Sequence, residues 1–574
     1  MDLFTFLKAH GSISIDILHQ ARDDSAIAKK SLFQTIYGDV QGLKYGVPFD
    51  RLSNLVQEYY KQEGNTLEVI TSTAGTTCNG EMFKRFPTPM ADLSLFFIPI
   101  VFKGVNYALT TKPDVEEFCN VIRNAYDSQS YHIAVCSPRM WDSFRALFVE
   151  PLLIASMAKE VVEKDPNAST GTSVSNDSLA RKIYMKIINI GIQRRASDVH
   201  FIPCTNHCDV IFRIDGINHY YTQIPKDMSV RICNILKNDG PISDTTPNHP
   251  LDGKVRYSPS QKKTPGDEID LRVSVIPSKA GPDINIRYLS DRLYSFDEIG
   301  MTADNIQRYK DILDLPSGLV VQVGPVGSGK STTLYAGLNY IHSTLRNIIT
   351  VEDPVEILMD GISQIDVLSG GKNPLTFADA LKACLRHDPD VVVVGELRDQ
   401  PTAFEAIRAA NTGHLVLSSL HTNDSIGTFE RLMNLGIDSY SLGEVIAAVM
   451  SQRLVRRLCP YCKEAYILHD GAPEYGKYNL PASLAPLKLY KAVGCPHCNN
   501  TGYHGRIAIN EILVVDPVLR NIVQRHAVRS KIEEHLRNIE FRTMYHDGID
   551  KVLSGVTSLA EIDKFNRDII AFKG

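Results

Sequence analysis

Gly324-Pro325-Val326-Gly327-Ser328-Gly329-Lys330-Ser331 has the spacing G-x-x-x-x-G-K-[ST], and its flanks decide how it is read. Gly318-Leu319-Val320-Val321-Gln322-Val323 before it is a short apolar run of the kind that forms a buried strand. Thr332 to Ile341 after it has apolar residues at Leu334, Ala336, Leu338 and Ile341, which suits a helix. Strand, glycine loop, helix is the order that phosphate binding needs. The glycines let backbone N–H groups close around phosphate oxygens and the helix start adds positive potential. Lys330 reaches the β- and γ-phosphates, and the Ser331 hydroxyl ligates magnesium. The stretch Gly324 to Thr332 is therefore a candidate ATP cradle, and a glycine turn with a chance lysine is the alternative.

The chain has 574 residues, too many for one hydrophobic core, so roughly three or four domains are expected. Its 43% hydrophobic and 22% charged residues are those of an ordinary globular protein. A net charge of −5 and a pI near 6.4 give no basic footprint, so no nucleic-acid partner is expected, although a local basic face stays open. No apolar segment approaches the ~18 residues of a membrane span; the best, Leu93 to Val101, is broken by Ser94 and Pro99. Met1-Asp2-Leu3-Phe4 lacks the basic start and apolar core of a secretion signal. A cytoplasmic protein with only indirect membrane contact is the expectation.

Glu163 to Asp177 is rich in Ser, Thr, Gly and Asn and reads as a flexible linker (163–177). Before it, residues 1–162 read as a divergent mixed α/β domain with helical patterns at Val115 to Tyr126 and Trp141 to Val162. After it, residues 178–298 read as an α+β domain. Its helices are Leu179 to Arg194 and Met228 to Lys237, and its strands are Asp198 to Ile202, Asp209 to Ile214, Ile269 to Ile276 and Asp283 to Leu289. Thr245 to Glu268 looks like an insertion. From 299 to 456 strands and helices alternate, the pattern of an α/β core with a parallel sheet. Residues 457–505 are short, loop-rich and cysteine-bearing, and 506–574 read as a helical region, with helices from Val518 to Phe572.

Three further strands in the core end in chemistry. Ile348-Ile349-Thr350-Val351 runs into Glu352-Asp353-Pro354-Val355-Glu356, and a carboxylate at the C-terminal end of a sheet strand faces the ligand crevice of an open α/β fold. Glu352 there can position or deprotonate water, although an acidic strand end alone also suits a turn or a helix cap. Asp390-Val391-Val392-Val393-Val394-Gly395-Glu396 has the general form of a Walker B element, with Glu396 placed to hold magnesium or the water it orders. His414-Leu415-Val416-Leu417-Ser418-Ser419-Leu420 leads to His421-Thr422-Asn423, which sets His421 where it can hydrogen-bond a γ-phosphate.

Eleven cysteines are present, and four fall as Cys459-x2-Cys462 and Cys495-x2-Cys498, with residues 463 to 494 between the pairs. Two C-x-x-C knuckles place four thiolates around Zn²⁺, and four sulfur ligands leave no position for water, so the site is structural. A redox role for one pair is the alternative. The other seven cysteines read as ordinary buried thiols.

This series resembles the type II secretion and type IV pilus assembly ATPase family. The matching stretches are Gly324 to Ser331, Thr350 to Glu356, Leu385-Arg386-His387-Asp388-Pro389-Asp390 with Gly395-Glu396-Leu397-Arg398-Asp399, and Thr412-Gly413-His414 with Leu420-His421-Thr422-Asn423. Upstream, Ala196-Ser197-Asp198-Val199-His200, Phe212-Arg213-Ile214-Asp215-Gly216, Asp270-Leu271-Arg272-Val273-Ser274 and Ile286-Arg287-Tyr288 match its second N-terminal domain. The cysteines and Gly502-Tyr503-His504-Gly505-Arg506 match as well, whereas Tyr107 to Val149 matches its first N-terminal domain only loosely. Ser331 stands where threonine is common and His387 where glutamine is usual.

The resemblance implies a RecA-like P-loop core and a ring-shaped homo-hexamer that couples ATP hydrolysis to domain motion. Its work would be assembly of a pilus or secretion pseudopilus through an inner-membrane platform or docking protein; the separation of residues 1–162 by the linker makes them the candidate docking module. It also implies that Arg213, Arg272 and Arg287 close on the phosphates, where a cation stabilises the charge that builds in phosphoryl transfer. A pilus retraction motor, a DNA-transfer or helicase-like motor, and an ATP-dependent scaffold that does not hydrolyse are the other readings. The N-terminal region and the four cysteines favour assembly over retraction.

Overall fold

The computed structural model describes residues 2–565 apart from 29–30, 38–46, 48, 63–66, 71–72, 74–75, 79–96, 112, 114–131, 165–173, 241–248, 259–267, 343–345, 368–374, 481–482, 484 and 527. Its contacts divide the chain into two compact units, Met1–Tyr288 with Val493–Gly502, and Leu289–Ala492 with Tyr503–Gly574.

The second unit is built on a seven-stranded sheet. Its order is Ser363–Asp366, Ile348–Glu352, Val391–Val394, Leu415–Leu420, Gly318–Val323, Ile446–Leu458 and Tyr503–Val514. The first six run parallel and the last antiparallel to its neighbour. Uninterrupted apolar strands suit a sheet covered on both faces, and alternate residues serve opposite layers. Leu319, Val321, Val351, Val392 and Val416 join one buried cluster, while Val320, Ile348, Val391, Val393 and Leu417 join the other. Helix Gln400–Asn411, started by Asp399 accepting from the Thr402 N–H, packs Ala403, Ala406 and Ile407 into the first cluster. This strand order sets Leu415–Leu420 between the phosphate-loop strand and Val391–Val394. Three chemistry-bearing strand ends therefore lie side by side, as ligand sites in open parallel sheets require.

One departure from the sequence reading lies here. Tyr503–Val514 is a strand of 12 residues and pairs with the 13-residue strand Ile446–Leu458, so the region after 506 does not begin as helix. Polar residues hide it: Asn510 and Glu511 are buried despite their chemistry, with the Asn510 backbone N–H donating to Asp547 and the Glu511 carboxylate accepting from Ser425 and Met544, while the Asn510 side-chain amide has no partner among the described residues. Helices Pro517–Gln524, Arg529–Asn538, Met544–Leu553 and Leu559–Asp563 follow.

The first unit holds two sheets. One has six antiparallel strands, ordered Ile217–Pro225, His207–Ile214, Ala196–Pro203, Gly281–Tyr288, Ile269–Ser278 and Leu251–Tyr257. Two of these were not read from the sequence. Ile217–Pro225 follows a two-residue turn at Asp215-Gly216, both at positive φ, which is the aspartate-glycine hairpin signal. Leu251–Tyr257 lies inside the stretch read as an insertion and pairs with Ile269–Ser278. The second sheet has the order Leu67–Val69, His132–Val135, Val105–Thr110, Ile98–Phe102 and Thr76–Cys78, and gives the N-terminal region a mixed α/β fold.

Trp141 to Val162 is helical, through Pro138–Phe144, Arg145–Val149 and Glu150–Lys164. Ile154 and Ala158 of its last segment are buried in the core of the six-stranded sheet, and Thr222 Oγ1 donates to Pro151 O at 2.8 Å. Val115 to Tyr126 lies outside the described residues. So does most of the linker stretch, since helices run to Lys164 and restart at Val174. Among the described residues, no helix is long and apolar enough to cross a membrane.

Candidate functional site

Gly324 ends its strand at φ 155° and Gly329 opens the next helix at φ 86°. A Cβ on Gly324 would lie 2.6 Å from Gln452 O, and one on Gly329 2.8 Å from Gln452 Nε2, so neither place admits a side chain. Helix Lys330–Ile341 has no side-chain cap, which leaves its first N–H groups for an anion. Ser331 is exposed and Thr332 half-buried on the first turn, and Pro325, Val326 and Gly327 are exposed on the loop, while Ser328 is buried. These features fit a phosphate chain. Lys330 Nζ lies over the loop and donates to Gly324 O at 2.7 Å and Pro325 O at 3.2 Å. Burial pulls its pKa down to about 8, with Glu396 opposing and Arg453 assisting.

Beside the loop, the neighbouring strand end supplies His421. Its Nε2 is 3.2 Å from Glu396 Oε1, and its Nδ1 is 3.5 Å from Lys330 Nζ and 3.2 Å from Gly324 O. The other Glu396 oxygen accepts from Arg398 Nε at 2.7 Å, and Arg398 also reaches Asp353 at 3.4 Å. Lys330, His421 and Glu396 thus form one chain of polar contacts across three adjacent strand ends. Glu352 is differently placed. It is buried, and its carboxylate accepts from Tyr335 OH at 2.5 Å, Thr350 Oγ1 at 2.6 Å and Gln364 Nε2 at 3.5 Å. His414 serves its own turn, with Nδ1 2.9 Å from Ala409 O.

Two residues that the sequence reading did not single out hold this site. Gln452 Nε2 donates to Ser328 O at 2.8 Å and its Oε1 accepts from Thr333 Oγ1 at 2.8 Å, so one side chain grips the loop on both flanks. Arg453 donates to Asn423 O at 2.6 Å, beside His421. Both come from strand Ile446–Leu458, more than a hundred residues from the loop, and no local pattern marks them.

The three arginines lie on the six-stranded sheet. Arg272 and Arg287 are cross-strand partners, and Asp198 is the register partner of both Arg287 and Arg213. The buried Asp198 carboxylate takes Arg287 Nε at 2.9 Å and has Arg213 Nε at 3.8 Å. Arg272 is exposed and shows no hydrogen bond or ion pair among the described residues.

Each cysteine pair forms a turn, with Lys463 N–H bonding Cys459 O at 3.1 Å and Cys498 N–H bonding Cys495 O at 3.2 Å. All four sulfurs lie within 4.8 Å of one another. Cys495 and Cys498 Sγ are 3.8 Å apart, against about 3.8 Å for two sulfurs bound to one tetrahedral zinc, and the N–H groups of Cys495 and Gly502 aim at Cys498 Sγ. The donor set fits zinc. Of the remaining cysteines, Cys136, Cys208, Cys233 and Cys384 are buried as expected, but Cys78 and Cys204 are partly exposed, and Cys119 lies outside the described residues.

A phosphate loop on a parallel sheet, with a lysine, a histidine and a carboxylate joined across its strand ends, defines a P-loop ATPase with a RecA-like core. The chain belongs to the family described as "Type II/IV secretion system protein", which matches residues 173–564. It is 38% identical over 398 residues to the type II secretion system ATPase E of Vibrio cholerae, covering 68% of this chain and 76% of that one. To the type IV pilus assembly ATPase PilB of Pseudomonas aeruginosa it is 36% identical over 402 residues, 69% of each. The ATPase DotB of Yersinia pseudotuberculosis shares the fold, with a TM-score of 0.50 at 18% identity over 68% of this chain and 94% of that one.

Proposed function

We propose that a homo-hexamer of this chain, cytoplasmic and held at the inner membrane through a platform or docking protein, hydrolyses ATP to power assembly of a type IV pilus or a type II secretion pseudopilus. The observation that carries this reading is the contact chain Lys330, His421, Glu396 beside the loop Gly324 to Thr332. The names of the relatives give the direction of the work.

Lys330 and the loop amides bind the phosphates, and Glu396 orients the attacking water while His421 reports the γ-phosphate to it. Ser331 and Glu396 would hold Mg²⁺, which when bound neutralises charge between the phosphates. Glu352, engaged by Tyr335, Thr350 and Gln364, shapes the crevice wall and is the alternative base. Arg272, Arg213 and Arg287 supply cations on domain closure, so hydrolysis and motion become one event. Cys459, Cys462, Cys495 and Cys498 would hold a structural Zn²⁺.

Residues 1–162 act as the docking module. Because Ile154 and Ala158 belong to the core of the next sheet, a truncation that tests docking has to keep helix Glu150–Lys164. For the whole reading, a strain lacking the chain loses extended filaments or pseudopilus-dependent secretion, and a copy carrying Lys330→Ala does not restore them. Filaments that persist or multiply in its absence contradict assembly.

A further inference from the structure

One other group of described side chains has metal-ligand chemistry at metal-ligand spacing. Sγ of Cys204, a ring nitrogen of His207 and a carboxylate oxygen of Asp209 lie within 4.8 Å of one another. The hairpin between strands Ala196–Pro203 and His207–Ile214 brings them together. Cys204 N–H bonds His207 O at 2.8 Å, closing the turn Cys204-Thr205-Asn206-His207. His207 and Asp209 are two apart on a strand and share its open face, whereas Cys208 between them is fully buried on the other.

We propose that Cys204, His207 and Asp209 form a second metal site, for zinc or a similar divalent transition ion, separate from the four-cysteine cluster. Asp209 stands between the other donors, with Oδ1 3.3 Å from His207 Nε2 and Oδ2 3.8 Å from Cys204 Sγ. Bonds of about 2.1 Å to nitrogen or oxygen and 2.3 Å to sulfur at the tetrahedral angle put a nitrogen–oxygen edge at about 3.4 Å and a sulfur–oxygen edge at about 3.6 Å. The two edges at Asp209, one at each carboxylate oxygen, thus lie within about 0.2 Å of these values, and the Cys204–His207 edge is within 4.8 Å. Thiolate and imidazole favour zinc, cobalt or copper over magnesium and calcium. All three residues are partly exposed, so the ion enters without unfolding. Three protein donors leave one position for water or for a donor from another molecule. The ion pins the turn end of the hairpin whose far end pairs Asp198 with Arg213.

The test uses the reduced, chelator-stripped full-length chain titrated with Co²⁺. Wild type takes up two equivalents, one with the intense charge-transfer bands of four thiolates and one with a single-thiolate band. Cys204→Ser/His207→Ala takes up one fewer, keeps the four-thiolate bands, and retains the metal-free melting temperature and ATP turnover of wild type. Cys459→Ser/Cys462→Ser loses the four-thiolate bands and keeps the single-thiolate band. If the latter variant fails to fold, the first comparison decides alone. Equal Co²⁺ uptake by wild type and Cys204→Ser/His207→Ala overturns the proposal.

Discussion

Glu396 and Asp198 are each a carboxylate shared by two nitrogen-bearing side chains, yet their surroundings differ. Glu396 lies just past the end of a parallel strand, 19% exposed, and of its partners His421 and Arg398 the first stands next to Lys330. Asp198 lies within an antiparallel sheet, 5% exposed, and its partners Arg287 and Arg213 project from the two flanking strands. A parallel sheet gathers functional groups at one edge, because every strand ends on the same side. An antiparallel sheet has no such edge and presents its groups on a face. The first arrangement makes a pocket for chemistry, and the second makes a surface that carries cations in register.

That contrast is broken most sharply by Arg272, which no carboxylate ties down among the described residues. Arg272→Ala is expected to keep ATP binding and to lose hydrolysis by about 10³-fold or more in the assembled protein, as for other arginines that complete a phosphoryl-transfer site. Unchanged phosphate release would reduce the antiparallel face to a structural one. Lys330→Ala removes a preorganised cation from the other region, and turnover should fall by roughly 10²–10³-fold with ATP affinity falling as well, as read by fluorescent-nucleotide titration.

Asp198→Asn should act mainly on packing. Arg287 and Arg213 are half-exposed and can rehydrate, so the loss is about 1 kcal/mol, seen as a fall of roughly 2–4 °C in melting temperature with ATP binding intact. A larger effect on ATP binding than on melting would erase the distinction between the regions.

A last effect concerns protons. Lys330 titrates near 8 in the nucleotide-free site because burial disfavours its charge, and phosphates restore that charge. Above about pH 8 binding must therefore take up a proton, and ATP affinity should fall with rising pH, by at most about tenfold per unit. Calorimetry in buffers of different ionisation enthalpy measures this uptake, and Lys330→Arg should abolish it.

The sequence made the pocket more legible than the face. Gly324 to Ser331, Val391–Val394 and Leu415–Leu420 are contiguous motifs, since each strand end carries its own chemistry, and the continuous apolar runs mark buried parallel strands. Gln452 and Arg453 escaped because their task is set by pairing of Ile446–Leu458 with the phosphate-loop strand, a contact with no local trace. Tyr503–Val514 escaped because it buries two polar residues, Asn510 and Glu511, and the Glu511 carboxylate is satisfied by distant Ser425 and Met544. On the six-stranded sheet, strand Ile217–Pro225 was announced only by Asp215-Gly216, and the sharing of Asp198 by two arginines depends on cross-strand register.

The central claim is that Glu396, joined to His421 and Lys330 at the strand ends, works on the attacking water. Its direct test is ATP binding beside single-turnover phosphate release for Glu396→Gln and Glu352→Gln in the full-length protein. Glu396→Gln should bind ATP as wild type does and release phosphate roughly 10²–10³-fold more slowly, a larger loss than for Glu352→Gln. Wild-type turnover by Glu396→Gln, with the loss falling on Glu352→Gln instead, would contradict it.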